Sequence, residues 1–241
     1  DSAVQFRKRI LERNQFSAGT GFEATFHFEV GKGVDLSLLE LAVECPELYR
    51  IFVNSKKVDF GRAKRWIDPH LQSVSIARMV HTGENEVRVI GRPFDVRMEQ
   101  ENVYIRGNFS LEATRAGFRI VPGHQLQVKP WSRQGYPFYS ELMHYDTTVD
   151  ISRTSKRVIL QLPSWKGGSA TIGVDGKRVG FIAWMPFELD LNDSLTPGSH
   201  TLRVTVAGTP KNLFGPFHDP TRSRNTACPT MCGRFPENGP P

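Results

Sequence analysis

The sequence predicts an all-β protein that consists of two tandem antiparallel β-sandwiches and an irregular, Pro-rich C-terminal tail. Three observations support this: apolar and polar residues alternate with a period of two, helical periodicity is nearly absent, and one pattern of strands and turns occurs twice. Hydrophobic residues make up 39% of the 241 residues and charged residues 23%, which is typical of a folded chain. This length accommodates two domains of roughly 100 residues each.

The clearest strand is FEATFHFEV at residues 22–30. Its apolar side chains, from Phe22 to Val30, fall on one face and its polar side chains on the other, as in a half-buried strand. Four further segments show the same alternation: LELAVE at 39–44, RVILQL at 157–162, PFELDL at 186–191 and HTLRVTV at 200–206. Many short strands separated by turn residues favour antiparallel sandwiches.

An internal repeat relates the two halves of the chain. The segments IFVNSKKVDF, WIDP and SVSIARMVHTGENEVRV in the first half correspond to IGVDGKRVGF, WMPF and ELDLNDSLTPGSHTLRV in the second. The dipeptide Asp175-Gly176 is a two-residue hairpin signal, and the equivalent Asn54-Ser55 predicts a looser hairpin. Two copies of one sandwich are the simplest explanation of this repeat.

We place the first sandwich at residues 1–98, the second at 99–217 and the tail at 218–241. NVYIRGNFSLEATRAGFRIV, at the junction, predicts an additional hairpin that turns near residues 115–117 and is compatible with either sandwich. Trp66 and Trp184 occupy similar places in the two copies, which favours a shared packing role for them.

The charge pattern does not indicate a nucleic-acid partner. The 31 basic and 25 acidic residues give a net charge of +6, but the basic clusters at 7–9 and 56–65 do not recur along a helix face. No aromatic RNA-binding motif accompanies them, so solvated loops are the favoured interpretation. No apolar run reaches the ~18 residues of a membrane-spanning helix, and we expect no membrane partner. The start at Asp1, without a basic and apolar leader, indicates a processed or excised chain.

The three cysteines do not predict a metal centre. Cys45 lies in an apolar run and is most simply a small buried residue. Cys228 and Cys232 have C-x3-C spacing in the tail and are compatible with a local disulfide or with reduced thiols. A zinc site would need two more ligands, and only His218 is near in sequence. We expect no cofactor, and nothing in the sequence indicates calcium.

Enzymatic signatures are missing from the sequence. It contains no G-x-S-x-G, no Gly-rich phosphate loop and no H-E-x-x-H. Glu188 and Asp190 share the outer face of one predicted strand, where solvated acids usually lie. We therefore assign no catalytic residue and expect this chain by itself not to hydrolyse glycosides.

Aromatic residues in KPWSRQGYPFYSELMHY are the best candidates for a binding site. Trp131, Tyr136 and Tyr139 are separated by Gly and Pro, which favours an exposed loop that presents its rings outward. Flat aromatic side chains bind sugars by stacking, while polar groups bind the hydroxyls. We predict a carbohydrate site with Asn212 and His218 as polar contributors. The alternative is that these rings close the end of the sandwich or pack against a neighbouring domain.

Several motifs resemble the accessory sandwiches of large bacterial glycoside hydrolases: ECPELYRIFVNSKKV, WIDPHLQSVSIARMVHTGENEVRV, QGYPFYSELMHYDTTVDI, VDGKRVGFIAWMPFELDL and NLFGPFH. The chain looks most similar to the C-terminal region of proteins related to family 106 α-L-rhamnosidases and family 2 enzymes, over about residues 20–218. In those proteins galactose-binding-like jelly rolls flank a catalytic barrel.

This resemblance implies that each sandwich is a galactose-binding-like jelly roll and that the parent protein is an extracytoplasmic glycoside hydrolase, periplasmic or secreted. The implied partners are carbohydrate and the catalytic domain of the same protein. The implied function is carbohydrate binding or bracing of the barrel. The alternative is a purely structural or adhesion-type domain that binds no sugar. Glu141 stands where the family motif has Gly, which would block a ligand there or add an acidic contact.

Overall fold

The computed structural model describes residues 16–100, 102–115, 117–152, 157–163, 165 and 167–209. Within these ranges the chain is all-β, with short 3₁₀ turns and no α-helix, which confirms the predicted β-sandwich class. No helix in this part of the chain is long and apolar enough to cross a membrane. The chain divides into two compact units, Asp1–Lys129 and Pro130–Pro241.

Strands are numbered in chain order. Those of the first unit are β1 Phe22–Val30, β2 Glu40–Glu44, β3 Arg50–Val53, β4 Lys56–Lys57, β5 Lys64–Trp66, β6 Asp68–Ser75, β7 Gly83–Gly91, β8 Tyr104–Arg106, β9 Phe109–Thr114 and β10 Gly117–Pro122. Those of the second unit are β11 Leu142–Ile151, β12 Ile159–Gln161, β13 Ser169–Val174, β14 Lys177–Ile182, β15 Glu188–Asp190 and β16 Gly198–Ala207.

The first unit consists of a six-stranded sheet, β4-β3-β7-β1-β10-β9, and a four-stranded sheet, β5-β6-β2-β8. In β2, Leu41 and Val43 face the core together with Leu39, as the alternation predicts, and Ala42 between them is buried as well. Strand β1 pairs antiparallel with β7 over its full length but parallel with β10. The prediction of purely antiparallel sheets is therefore wrong at this pair, because β10 joins the sheet after the chain has returned from the other layer.

The predicted junction hairpin is confirmed, with Gly117 opposite Thr114 in the β9-β10 pair. Its pairing assigns it to the first unit, since β10 pairs with β1 and β8 pairs with β2. The boundary that we predicted between residues 98 and 99 therefore differs from the division at Lys129 and Pro130. Alternation within a hairpin shows that two strands pair, but not which sheet they join. The predicted tail at 218–241, with Cys228 and Cys232, lies outside the described residues.

The second unit consists of a four-stranded sheet, β11-β16-β13-β14, and a two-stranded sheet, β12-β15. Its core contains Ala170, Ile172 and Val174 from alternate positions of β13. Trp165 packs against Phe187 at 5.8 Å between ring centroids. Because alternate residues of β13 face this core, the intervening Thr171 and Gly173 lie on the outer face of the four-stranded sheet.

Both repeat hairpins turn through two residues with positive φ. These are Asn54 and Ser55, at 46° and 66°, and Asp175 and Gly176, at 48° and 78°. The prediction of a looser hairpin at Asn54-Ser55 is therefore wrong. The Asn54 side chain explains the tight turn, since its Oδ1 accepts a hydrogen bond from the Glu86 backbone N–H at 3.0 Å.

Candidate functional site

The structure brings Trp131, Tyr136 and Tyr139 together just before β11, in and after the 3₁₀ turn Trp131–Gln134. The Trp131 and Tyr139 rings are 5.8 Å apart and the Tyr136 and Tyr139 rings 6.1 Å apart, both nearly perpendicular. Trp131 Nε1 donates a hydrogen bond to Tyr145 Oη at 2.5 Å. These four residues form what we call the aromatic cluster.

The aromatic cluster is held by its own polar groups. All four rings are half-buried. Hydrogen bonds to one another and to the backbone hold them in place. Tyr139 Oη donates to the Leu142 carbonyl at 2.8 Å, and burial, helped by the charge of Glu141, raises the pKa of Tyr139. Tyr145 lies opposite Val204, which packs against the core. This geometry favours packing over outward display of the rings.

The polar residues predicted for the same site cannot be placed beside the rings. Asn212 and His218 both lie outside the described residues. Among the neighbours in sequence, Arg133 is exposed and Glu141 is exposed. The carbohydrate site at the aromatic cluster therefore remains a prediction, although the three predicted aromatic residues do lie together.

A second group of apolar side chains is far more exposed. Trp184 is 67% exposed, Met185 78% and Phe181 47%, and the rings of Phe181 and Trp184 meet edge to face at 5.5 Å. We call these three residues the aromatic rim. The shared packing role that the repeat favoured for Trp184 does not fit this exposure. The overlooked signal was strand phase, because Ile182 faces the core and the preceding Phe181 must then point outward.

The aromatic rim borders the outer face of the β11-β16-β13-β14 sheet. Strand pairing arranges two rows of outer residues across that face: Phe181, Thr171, Thr205 and His144, then Arg178, Gly173, Arg203 and Asp146. Hydrogen bonding from Arg203 lowers the pKa of Asp146, through contacts at 2.6 and 2.8 Å. The rows combine exposed rings at the β14 edge with hydroxyl, guanidinium and carboxylate groups further in.

The first unit treats its equivalent tryptophan differently. The guanidinium of Arg106 lies over the Trp66 ring at 4.4 Å, and the Tyr104 ring meets it edge to face at 5.7 Å. Arg106 is held in turn by Glu40, at 3.0 Å, which also accepts a hydrogen bond from Ser73. Trp66 is half-buried, as the predicted packing role requires.

The repeat turns also carry equivalent polar contacts. In the first unit Asn54 Nδ2 donates to Asn85 Oδ1 at 2.7 Å. In the second, His200 Nδ1 lies 2.7 Å from Asp175 Oδ2, and His200 Nε2 lies 2.8 Å from the Thr196 carbonyl. These two acceptors raise the pKa of His200, the Asp175 contact most, and the His200 bond lowers the pKa of Asp175. An imidazolium ring, which donates from both nitrogens, suits this position.

No group of three or more His, Cys, Asp or Glu side chains in the described part of the chain has an arrangement that could hold a metal ion. Cys45 is a free, half-buried thiol, and its burial raises its pKa. It occupies a left-handed backbone conformation, with φ of 42°, just before the 3₁₀ turn Pro46–Leu48.

No protein-family model matches the sequence. No curated protein matches it either. Similar solved structures include a rhamnosidase from Novosphingobium sp. PP1Y, with 20% identity over 83% of this chain and 18% of that chain at a TM-score of 0.33. An α-L-rhamnosidase from Streptomyces avermitilis, complexed with L-rhamnose, has 13% identity over 80% of this chain and 22% of that chain at a TM-score of 0.31.

A lectin from Pleurotus ostreatus in complex with GalNAc is also similar, with 10% identity over 79% of this chain and 70% of that chain at a TM-score of 0.21. The present chain spans about a fifth of the length of the two rhamnosidases, 18% and 22%. At these TM-scores the likenesses do not define the function of this chain.

Proposed function

We propose that this chain is a non-catalytic accessory β-sandwich region of a multidomain, extracytoplasmic glycoside hydrolase, and that it binds carbohydrate through its second unit. The observation that carries the proposal is the exposure of the aromatic rim. Large apolar side chains that remain open to solvent next to polar groups are typical of ligand or partner surfaces. The resemblance of the sequence motifs to accessory sandwiches of glycoside hydrolases supplies carbohydrate as the ligand class.

The aromatic rim fits sugar binding better than the aromatic cluster does. A sugar ring stacks on an open aromatic face, and Trp184, at 67% exposed, offers more open surface than the half-buried Trp131. The indole N–H of Trp131 already donates a hydrogen bond to Tyr145 Oη. The Phe181 ring contacts the Trp184 ring edge to face and restricts the rotamers of Trp184 before a ligand binds. This restriction lowers the entropy cost of binding.

The second candidate function is bracing of the catalytic domain without sugar binding. The same exposure supports it, because a neighbouring domain that covered Met185 and Trp184 would remove a large apolar area from water. The two functions differ in what the isolated chain binds. A carbohydrate-binding region binds glycans alone, whereas a bracing region binds none.

The test is a glycan array with the full chain, followed by calorimetric titration of Trp184→Ala and Trp131→Ala. We expect Trp184→Ala to weaken glycan binding at least ~5-fold with an unchanged melting temperature, because one stacking ring is lost. Trp131→Ala, the matched control, should lower the melting temperature and keep the affinity. The reverse pattern would place the sugar at the aromatic cluster instead.

Two results would overturn the proposal itself. If the chain binds no glycan at concentrations of about 1 mM, bracing is the better account. If the purified chain turns over aryl glycosides faster than a heat-killed control, it is not a non-catalytic region. Neither result depends on which aromatic surface is used.

A further inference from the structure

We infer that the outer face of the β11-β16-β13-β14 sheet selects an acidic saccharide, whose ring stacks on the aromatic rim and whose carboxylate binds Arg178. This inference rests on the proposed function and adds the chemical class of the sugar. It is carried by the position of Arg178, by the charges around it and by the bare backbone at Gly173.

Arg178 is a charged group beside the aromatic rim. Its guanidinium carbon lies 5.9 Å from the centroid of the Phe181 ring, which in turn contacts Trp184. Arg178 and its neighbour Lys177 are both exposed. In the part of the chain that the structure describes, no carboxylate lies within ion-pair distance of Arg178. A guanidinium that holds no carboxylate of its own is available to a ligand carboxylate, which it binds with two parallel hydrogen bonds.

The other arginine of this face, Arg203, is paired with a carboxylate. Arg203 donates to both oxygens of Asp146, at 2.6 and 2.8 Å, so its charge is compensated within the sheet. His144, in the adjacent row, is hydrogen-bonded to Thr205 at 2.9 Å. The uncompensated positive charge therefore lies at the β14 edge, beside the exposed rings, and not at the β11 edge.

Gly173 presents bare backbone between the two arginines of this face. It lies opposite Arg178 on one side and opposite Arg203 on the other. A Cβ at this position would make ordinary van der Waals contact with the Lys177 carbonyl oxygen, at 3.4 Å, and with Arg203 Cβ, at 3.8 Å, so a larger side chain would cover backbone that the glycine leaves bare. Four strands about 4.8 Å apart make this face about 14 Å wide, enough for a short run of sugar rings. Thr171 and Thr205 supply hydroxyl groups along it.

The first unit provides a matched control for Arg178. Arg88 lies over the Phe52 ring at 4.9 Å, which resembles the position of Arg178 over Phe181. It differs in pairing with Glu23 at 3.2 Å. Substitution of either arginine by glutamine removes the same charge from the chain, and Arg178 is the one whose aromatic partner, Phe181, belongs to the aromatic rim.

The experiment measures binding of the full chain to polygalacturonate and to its methyl-esterified form, which lacks the charge. We expect the acid form to bind at least about 5-fold tighter than the ester, and Arg178→Gln to remove this preference. Arg88→Gln should bind both forms within about 2-fold of the wild type. Gly173→Val, which covers the bare backbone without a charge change, should weaken binding of the acid form about 5-fold.

Three results would overturn the inference. One is that Arg178→Gln and Arg88→Gln weaken the acid form equally, which indicates a response to total charge. Another is equal binding of the acid and ester forms with loss of both in Trp184→Ala; that result retains the proposed function and removes the acidic selectivity. A third is binding of duplex DNA as tight as that of polygalacturonate, which indicates a general polyanion surface. If neither saccharide nor any array glycan binds, the proposed function fails together with the inference.

Discussion

Trp66 in the first unit and Trp184 in the second follow equivalent hairpins of the repeat, yet their surroundings differ. Trp66 is covered by the Arg106 guanidinium at 4.4 Å and flanked by Tyr104, whereas Trp184 is 67% exposed. The difference comes from β8, which brings Tyr104 and Arg106 beside the first tryptophan. The lesson is that an aromatic residue becomes available for binding when no second element covers it, whatever its place in a repeat.

The polar side chains at the two hairpin turns also differ in exposure. Asn85 is 3% exposed and its side chain contacts Asn54, the His81 backbone and the Gly83 carbonyl. The second unit has a charged pair at the same place, His200 with Asp175, and the Asp175 side chain is 52% exposed. The first unit closes its turn with buried neutral amides, and the second closes it with a pair that responds to pH.

The largest expected effect tests the buried turn. Asn85→Ala should lower the free energy of unfolding by about 3 kcal/mol, because the Asn54 amide loses one of its two acceptors and the His81 N–H loses the Asn85 oxygen. Chemical denaturation measures it. The counterpart His200→Ala should cost less, because its partner Asp175 is 52% exposed and can bind water instead, although the His200 side chain itself is only 12% exposed. Equal losses for the two variants would show that the turns are energetically alike and would break the comparison.

A somewhat smaller effect tests the covered tryptophan. Trp66→Ala should destabilise the chain by about 2 kcal/mol, because a half-buried ring and its cation–π contact are lost. Arg106→Gln, which keeps part of the covering side chain, should cost less. Glycan affinity should stay at the wild-type level in both variants. A loss of affinity in Trp66→Ala with intact stability would assign binding to the first unit.

The smallest effect is a pH dependence confined to the second unit. The pKa of His200 is raised above its ordinary 6.5, so the stability that its protonated ring contributes is complete below that pH and is lost as the pH rises through the raised value. The pKa of Asp175 is lowered from 3.8, so its contribution is lost only as the pH falls through that lowered value.

We therefore expect the melting temperature of the wild type, relative to that of His200→Asn, to be higher at about pH 5.5 than at about pH 8.5. The variant has asparagine at this position, as the first unit does at Asn85. Because the wild type and the variant share all other titrating groups, the difference between their melting temperatures reports on His200 alone. A constant difference between the two proteins over this range would show that the His200 contacts do not depend on protonation.

Local features of the fold could be predicted from the sequence. Alternation in FEATFHFEV and the Asp175-Gly176 dipeptide each depend on a few adjacent residues, and both predictions hold. The parallel pairing of Glu29 with Arg119 could not be predicted, because it joins residues ninety positions apart with no local signature. The same kind of pairing decides which unit the junction hairpin joins, and the sequence left that choice open.

The candidate site was only partly accessible from the sequence. The aromatic residues Trp131, Tyr136 and Tyr139 do lie together, as their spacing indicates. Their use of hydrogen bonds to Tyr145 and to the backbone, however, depends on β11, which follows them. Trp184 is exposed because no other described element covers it. The sequence pattern around a residue does not show whether a distant element will cover it.

The most direct test of the account is the paired measurement of glycan affinity and melting temperature for Trp184→Ala and Trp66→Ala. We predict that Trp184→Ala loses at least ~5-fold in affinity at an unchanged melting temperature, while Trp66→Ala lowers the melting temperature and keeps its affinity. If Trp184→Ala leaves the affinity of the chain for its best array glycan unchanged, the aromatic rim is not the binding surface and the central claim is contradicted.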